Sequence, residues 1–229
     1  MRYKGIVPGI FIDRPNRFIA NIWVNGERES VHVRNTGRCK EILIPGTRVL
    51  LEKASNNRKR KTRFSLISAY KGSQLINIDS QIPNALVFSA LNNNDLNTIK
   101  EIKYLKQEVT YQHSRFDLFY RNNHKKGFIE VKGVTLEKNR VALFPDAPTI
   151  RGTRHILELI DASKKGYENY IIFVIQMKGV GCFKPNDKMD PDFSEALRAA
   201  DKNGVHIRAY DCLVTHDTIK IDQSVRVVL

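Results

Sequence analysis

Glu130 and Lys132 stand two residues apart in Phe128-Ile129-Glu130-Val131-Lys132-Gly133-Val134, an otherwise apolar run. Side chains alternate faces along a strand, so the carboxylate and the ammonium share one face while Ile129 and Val131 share the other. One face then carries chemistry and the other packing. A second carboxylate, Asp117, lies thirteen residues upstream in Arg115-Phe116-Asp117-Leu118-Phe119-Tyr120, and the polar, Gly-ended stretch from Arg121 to Gly127 suits a hairpin connection between the two runs. Such a hairpin brings Asp117 beside Glu130 and Lys132. Two carboxylates offer oxygen ligands to a hard divalent cation, Mg2+ or Mn2+. The neighbouring ammonium can orient an attacking water or offset charge developing on a phosphate. Glu108, on the preceding strand, is a further candidate ligand or general base, and Asp146 is another nearby carboxylate.

The elements that must position these groups fall into two sets. Residues 4–12, 18–24, 28–34, 47–54, 64–70 and 73–78 read as short strands, separated by Pro15-Asn16, Asn25-Gly26, Pro45-Gly46 and Lys71-Gly72-Ser73. Several short strands with little helix between them predict a small barrel of the oligonucleotide-binding (OB) type over residues 1–80. Near residue 80 the pattern changes. Pro83-Asn84 precedes a helical run ending at Asn92-Asn93-Asn94, strands follow at 104–111, 114–120 and 127–134, and Val141 to Pro148 is extended. A firmer helix starts after Pro148-Thr149 with Thr149 as its cap, and Lys164-Lys165-Gly166 ends it. Tyr170 to Gln176 has the continuous apolar character of a central strand, 183–190 reads as an irregular polar segment, Asp190-Pro191 opens another helix, and Val205 to Leu213 is the final strand. Residues 81–229 therefore form an α/β domain with a mixed sheet.

A formal net charge of +14 points to an anionic partner, and residues 1–80 hold 16 Lys or Arg against 6 Asp or Glu, a surplus of ten. The barrel is thus the expected polyanion surface. Arg58, Lys59, Arg60, Lys61 and Arg63 fall between two strands, where long cations reach phosphates without disturbing a core; Arg38 follows the polar turn Asn35-Thr36-Gly37 and can help cradle a phosphate. Arg151 and His155, four apart, share a face near the start of the second helix and can meet the same backbone. Three scattered cysteines indicate no disulfide framework, and no apolar run reaches membrane-spanning length, so the expected location is the cytoplasm. The six histidines show no zinc-ligand spacing with cysteine, and neither a dinucleotide-binding nor a P-loop glycine pattern occurs. A sugar or nucleotide transferase is not indicated.

Ser114-Arg115-Phe116-Asp117, Glu130-Val131-Lys132-Gly133-Val134-Thr135-Leu136, Phe144-Pro145-Asp146-Ala147-Pro148-Thr149 and Arg151-Gly152 with His155 together resemble the sugar fermentation stimulation protein A (SfsA) family of bacteria and archaea, and the likeness extends over essentially the whole chain. The resemblance implies an OB-type barrel fused to a domain similar to the PD-(D/E)XK nucleases. It also implies DNA as partner and a connection with the regulation of sugar, notably maltose, metabolism. Carried onto this sequence, it makes Asp117 and Glu130 the metal-binding acids and Lys132 the nuclease-type lysine. Two departures stand out: Ser89 occupies a position where the family pattern has a glutamate, and Phe116 rather than proline precedes Asp117. Two functions stay open, a metal-dependent nuclease and a DNA-binding regulator that keeps the nuclease scaffold without its activity.

Overall fold

The computed structural model describes residues 1–35, 37–54 and 61–229. The first unit comprises β1 (Ile6–Asn16), β2 (Ile19–Val24), β3 (Glu27–Val33), β4 (Arg48–Lys53), β5 (Phe64–Lys71) and β6 (Gln74–Asn77). These pair in the order β3-β2-β1-β4-β5-β6, and β3 also runs parallel to β5 through His32↔Ser65 and Val33↔Leu66. That last pairing closes the sheet into a five-stranded OB-type barrel with β6 attached to β5. Alternation sets which side chains fill it. Ile22 and Val24 of β2 are buried, Trp23 between them is 48% exposed, and Ala20, Val31, Leu51 and Leu66 complete an apolar interior.

The second unit comprises α1 (Ile82–Asn92), β7 (Tyr104–Tyr111), β8 (Ser114–Arg121), β9 (Lys126–Val134), β10 (Leu136–Lys138), β11 (Val141–Phe144), α2 (Ile150–Lys164), β12 (Tyr170–Ile175), β13 (Cys182–Pro185), α3 (Pro191–Lys202), β14 (His206–Val214) and β15 (Ile219–Ser224). Its main sheet has the order β15-β14-β12-β9-β8-β7, with β7, β8 and β9 antiparallel and β9, β12 and β14 parallel. Every residue of β12 is buried, as its unbroken apolar run predicts. Ile172 and Val174 pack with α1, whereas Ile171, Phe173 and Ile175 pack with α2 and α3, so the helices cover opposite faces. Helix, three-strand meander, helix and parallel strand succeed one another in the order read from the sequence.

Three elements differ from the sequence reading. Leu136–Lys138 forms a short strand antiparallel to β11, and Cys182–Pro185, overlapping the expected irregular segment, pairs in parallel with β11, from Val141↔Cys182 to Phe144↔Pro185. A four-residue strand whose partner lies about forty residues away carries too few positions to show a period. Beyond the expected last strand, Ile219–Ser224 adds an antiparallel edge to β14, and here the alternation of Ile219 and Ile221 with Lys220 and Asp222 was present in the sequence.

The helix starts are fixed by side chains. Thr149 Oγ1 accepts the Gly152 N–H at 3.0 Å; Asp190 Oδ1 accepts the Phe193 N–H at 3.0 Å and Oδ2 the Thr149 N–H at 2.7 Å, which ties the beginnings of α2 and α3 together. The two units meet across a buried polar seam. Gln176 Nε2 donates to Asn77 Oδ1 at 2.8 Å and to the Asp79 carbonyl at 3.0 Å, while Asn77 Nδ2 donates to the Tyr3 hydroxyl at 2.9 Å. Arg34 bridges Glu52 and Asp79 beside it, at 2.9 and 3.1 Å.

Cys39, Cys182 and Cys212 are free and buried, and burial pushes the Cys39 and Cys212 thiols up to about 12. A thiolate is the reactive form, so native protein is expected to show almost no fast reaction with Ellman's reagent and to release three thiols after denaturation. Rapid modification of even one thiol in the folded state would contradict this packing. Among the described residues no helix is long and apolar enough to cross a membrane.

Candidate functional site

On β9 the expected division of faces is present: Ile129 and Val131 pack in the α1-facing core, while the Glu130 side chain points to α2. Glu130 Oε1 receives the Lys132 ammonium at 2.5 Å and lies 2.7 Å from His155 Nδ1, with only 3% of the glutamate side chain exposed. Arg151 Nε donates to His155 Nε2 at 3.3 Å, which assigns the remaining ring proton to Nδ1 and makes that nitrogen the donor to Glu130. Phe116 packs edge-on against the imidazole at 5.7 Å between centroids. His155 thereby fixes the Glu130 carboxylate in the way an outer partner orients a ligand.

Asp117 arrives from β8. The β8–β9 ladder runs from Arg121↔Lys126 to Leu118↔Ile129 and ends there, and one residue further the Asp117 side chain takes over the role of the strand: its Oδ2 accepts the Val131 N–H at 2.7 Å. Asn84, near the start of α1, donates to Oδ1 at 2.7 Å. Gly133 lets β9 pass close under this helix, because a Cβ there would lie 2.6 Å from Gln176 Oε1 and 2.8 Å from Pro83 Cγ. The two acids titrate apart. Burial, and then the charge of Glu130, raise the Asp117 carboxyl to about 6. Burial also works against charge on Glu130, yet Lys132 and His155 more than offset it and hold that carboxyl below its ordinary value.

Glu130 Oε2 is buried and has no hydrogen-bond partner. An orphaned carboxylate oxygen beside a second carboxylate of raised pKa is a donor set that a divalent cation would satisfy. Among the described residues no group of three or more His, Cys, Asp or Glu side chains is gathered for a metal. Two protein carboxylates suit Mg2+, which keeps much of its water and commonly takes further oxygens from a phosphate.

The sugar fermentation stimulation protein RE domain matches residues 81–218, and the SfsA N-terminal OB domain matches residues 12–78. The chain belongs to the SfsA family. The sugar fermentation stimulation protein homolog of Alkaliphilus oremlandii is 53% identical, covering 98% of this chain and 97% of its own length. That of Clostridium beijerinckii is 51% identical over the whole of both chains. Among solved structures, Pyrococcus furiosus SfsA in complex with Ca2+ superposes with a TM-score of 0.90 at 28% identity, over 100% of this chain and 98% of that one.

Other residues singled out from the SfsA resemblance or from composition are placed as follows. Glu108 does not join the two acids: its exposed side chain pairs with Arg115. His155, read with Arg151 as able to meet a phosphate, is buried and shared between Glu130 and Arg151. Arg151 itself is exposed. Ser89 is exposed, and it is Asn84 that reaches from α1 to Asp117. No periodic signal marked Asn84, since its partner lies 33 residues away. Asp146 sits against the barrel: a Cβ on Gly37 would be 2.6 Å from its Oδ2. The Asn35–Arg38 turn presents carbonyls to Arg14, which donates to Asn35, Gly37 and Arg38 oxygens, while Asn35 Oδ1 takes the Gly37 N–H. That arrangement binds a cation of the chain itself and leaves the Arg38 side chain exposed.

Arg38 borders a cleft of about 860 Å3 between the domains, together with Lys40, Lys138 and Lys188. Asp117, Glu130 and Lys132 do not line it. Lys61 and Arg63 are exposed, with Arg63 ion-paired to Glu29 at 2.8 Å and stacked 5.6 Å from the Phe64 ring centroid. Arg58, Lys59 and Arg60 lie outside the described residues.

Proposed function

We propose that this SfsA-family chain binds DNA without reading its sequence and cleaves phosphodiester bonds with Mg2+ or Mn2+ at Asp117, Glu130 and Lys132. The observation that carries the reading is the buried, charge-stabilised Glu130, whose Oε2 is unpartnered while Lys132 and His155 hold its Oε1. The basic surplus of the barrel supports DNA as the anionic partner. The Pyrococcus furiosus relative was solved with Ca2+, another hard, oxygen-seeking cation.

In this reading Glu130 and Asp117 hold the cation, which supplies Lewis-acid stabilisation of phosphate charge and a more acidic water. Lys132 has a two-fold task. It neutralises Glu130 in the resting protein, and its remaining N–H donors can hold a phosphate oxygen or the attacking water. His155, itself held by Arg151, keeps Glu130 Oε1 in place, and Asn84 with the Val131 N–H holds both oxygens of Asp117.

A second reading, a noncatalytic DNA-binding regulator of sugar (maltose) metabolism, is favoured by one observation: both Asp117 oxygens already accept hydrogen bonds, one from the Asn84 amide and one from the Val131 N–H. Labelled single-stranded, duplex and branched DNA, incubated with Mg2+, Mn2+ or EDTA, separates the two. Metal-dependent products that vanish in EDTA and in Glu130→Gln support cleavage; binding without products on every substrate and metal leaves the regulator.

A further inference from the structure

We infer that the barrel carries a nucleic-acid contact of its own, a stacking platform for an unpaired base built on Trp23. The inference rests on the DNA-binding reading above and adds a preference for single-stranded segments.

Trp23 is the only tryptophan in the chain, and it is 48% exposed at the end of β2 remote from the β1–β2 turn. In register it lies beside Ile10, itself exposed, and Ile10 lies beside Arg48 on its other side. The Arg48 guanidinium then covers the Tyr70 ring, 4.5 Å from its centroid. Trp23, Ile10, Arg48 and Tyr70 form a continuous outward stripe across β2, β1, β4 and β5. His216, from the turn between β14 and β15, completes a hollow of about 440 Å3 over that stripe.

No carboxylate lines the hollow. A flat aromatic surface next to an arginine already ordered by stacking offers a nucleobase its π-face and the adjoining phosphate a fixed cation. An acidic peptide could use the cation but has no need of the exposed indole. A duplex keeps its bases within its own stack, so only an unpaired nucleotide can use both groups.

The single tryptophan makes the test direct. Full-length protein in EDTA is titrated with oligothymidine of about twelve nucleotides, following tryptophan emission and, with labelled DNA, anisotropy. Expected are saturable quenching that tracks binding, and a loss of affinity in Trp23→Ala of about 5- to 100-fold, with Trp23→Phe retaining most of it. Arg48→Ala should weaken the same complex, and duplex DNA should leave the emission nearly unchanged. Thermal melts of the exposed-site variants equal to wild type exclude misfolding as the cause. Binding by anisotropy with unchanged emission and unchanged Trp23→Ala affinity overturns the platform and leaves the DNA-binding reading intact. Absence of any binding sinks both, and quenching by polyglutamate but not by oligothymidine makes the surface a protein-docking site instead.

Discussion

Asp117→Asn is expected to stabilise the metal-free protein at pH 7 while abolishing metal-dependent cleavage. The carboxyl is raised to about 6 by burial and by the Glu130 charge, so the folded state holds a proton that the unfolded chain releases at about 3.9. Below about pH 4 the group is protonated in both states and contributes nothing. Between about 4 and 6 stability falls as pH rises, and above about 6 the whole penalty is in place. Replacing the acid by an amide removes that penalty. The introduced amide can still accept the Val131 N–H, and Asn84 can turn its own amide to accept the new N–H donor. With some solvent screening at a partly buried side chain, the gain is about 2 kcal/mol, or roughly 4–8 °C in melting temperature for a chain of this size. Melts in EDTA at pH 7 and pH 4, read by circular dichroism, should show the gain only at the higher pH. A lower melting temperature for the variant at pH 7 would mean that both Asp117 oxygens act as structural acceptors with no electrostatic strain.

Lys132→Ala should do the opposite. It removes one of the two partners that keep Glu130 charged and leaves the carboxylate, 3% exposed, with His155 alone. Breaking a buried pair by deleting one member costs about 3 kcal/mol or more, since the surviving charge stays desolvated. The melting temperature is expected to drop by roughly 6–12 °C, and the double change Glu130→Gln with Lys132→Met should recover most of the loss. An unchanged melt for Lys132→Ala would show that the pair is neutral to folding. Asp117 accepts the N–H of Val131, the residue next to Lys132, yet the two substitutions move stability in opposite directions. Lost cleavage in Lys132→Ala therefore has to be read beside its melt, whereas lost cleavage in Asp117→Asn comes from a protein more stable than its parent.

The architecture was legible where each segment announces itself locally. The OB-type barrel followed from turn residues between short alternating runs, the β7–β8–β9 meander from patterned strands around a polar turn, and the helix starts from Thr149 and Asp190, whose caps are in place. Glu130 and Lys132 share a face because the period of a strand is two. What sequence could not supply were contacts closed by tertiary packing. Asn84 finds Asp117 only once α1 lies across β9, and β13 exists only because β11 offers it an edge. His155 shows the intermediate case: its helix and its spacing were readable, but which face α2 turns to the sheet was decided by Ile156 and Leu159 filling the core.

The polar seam at Asn77 and Gln176 makes the barrel a fixed gauge. Only residues 78–81 separate β6 from α1, and the buried Gln176 amide would lose both its acceptors, Asn77 Oδ1 and the Asp79 carbonyl, if the halves swung apart. The distance from the barrel surface to Glu130 is accordingly a constant of the molecule, set by side-chain amides and not by the slack of a tether. A strand gripped on the barrel would meet Lys132 at one span along its length, so cleavage should yield fragments of a narrow size range measured from the gripped end.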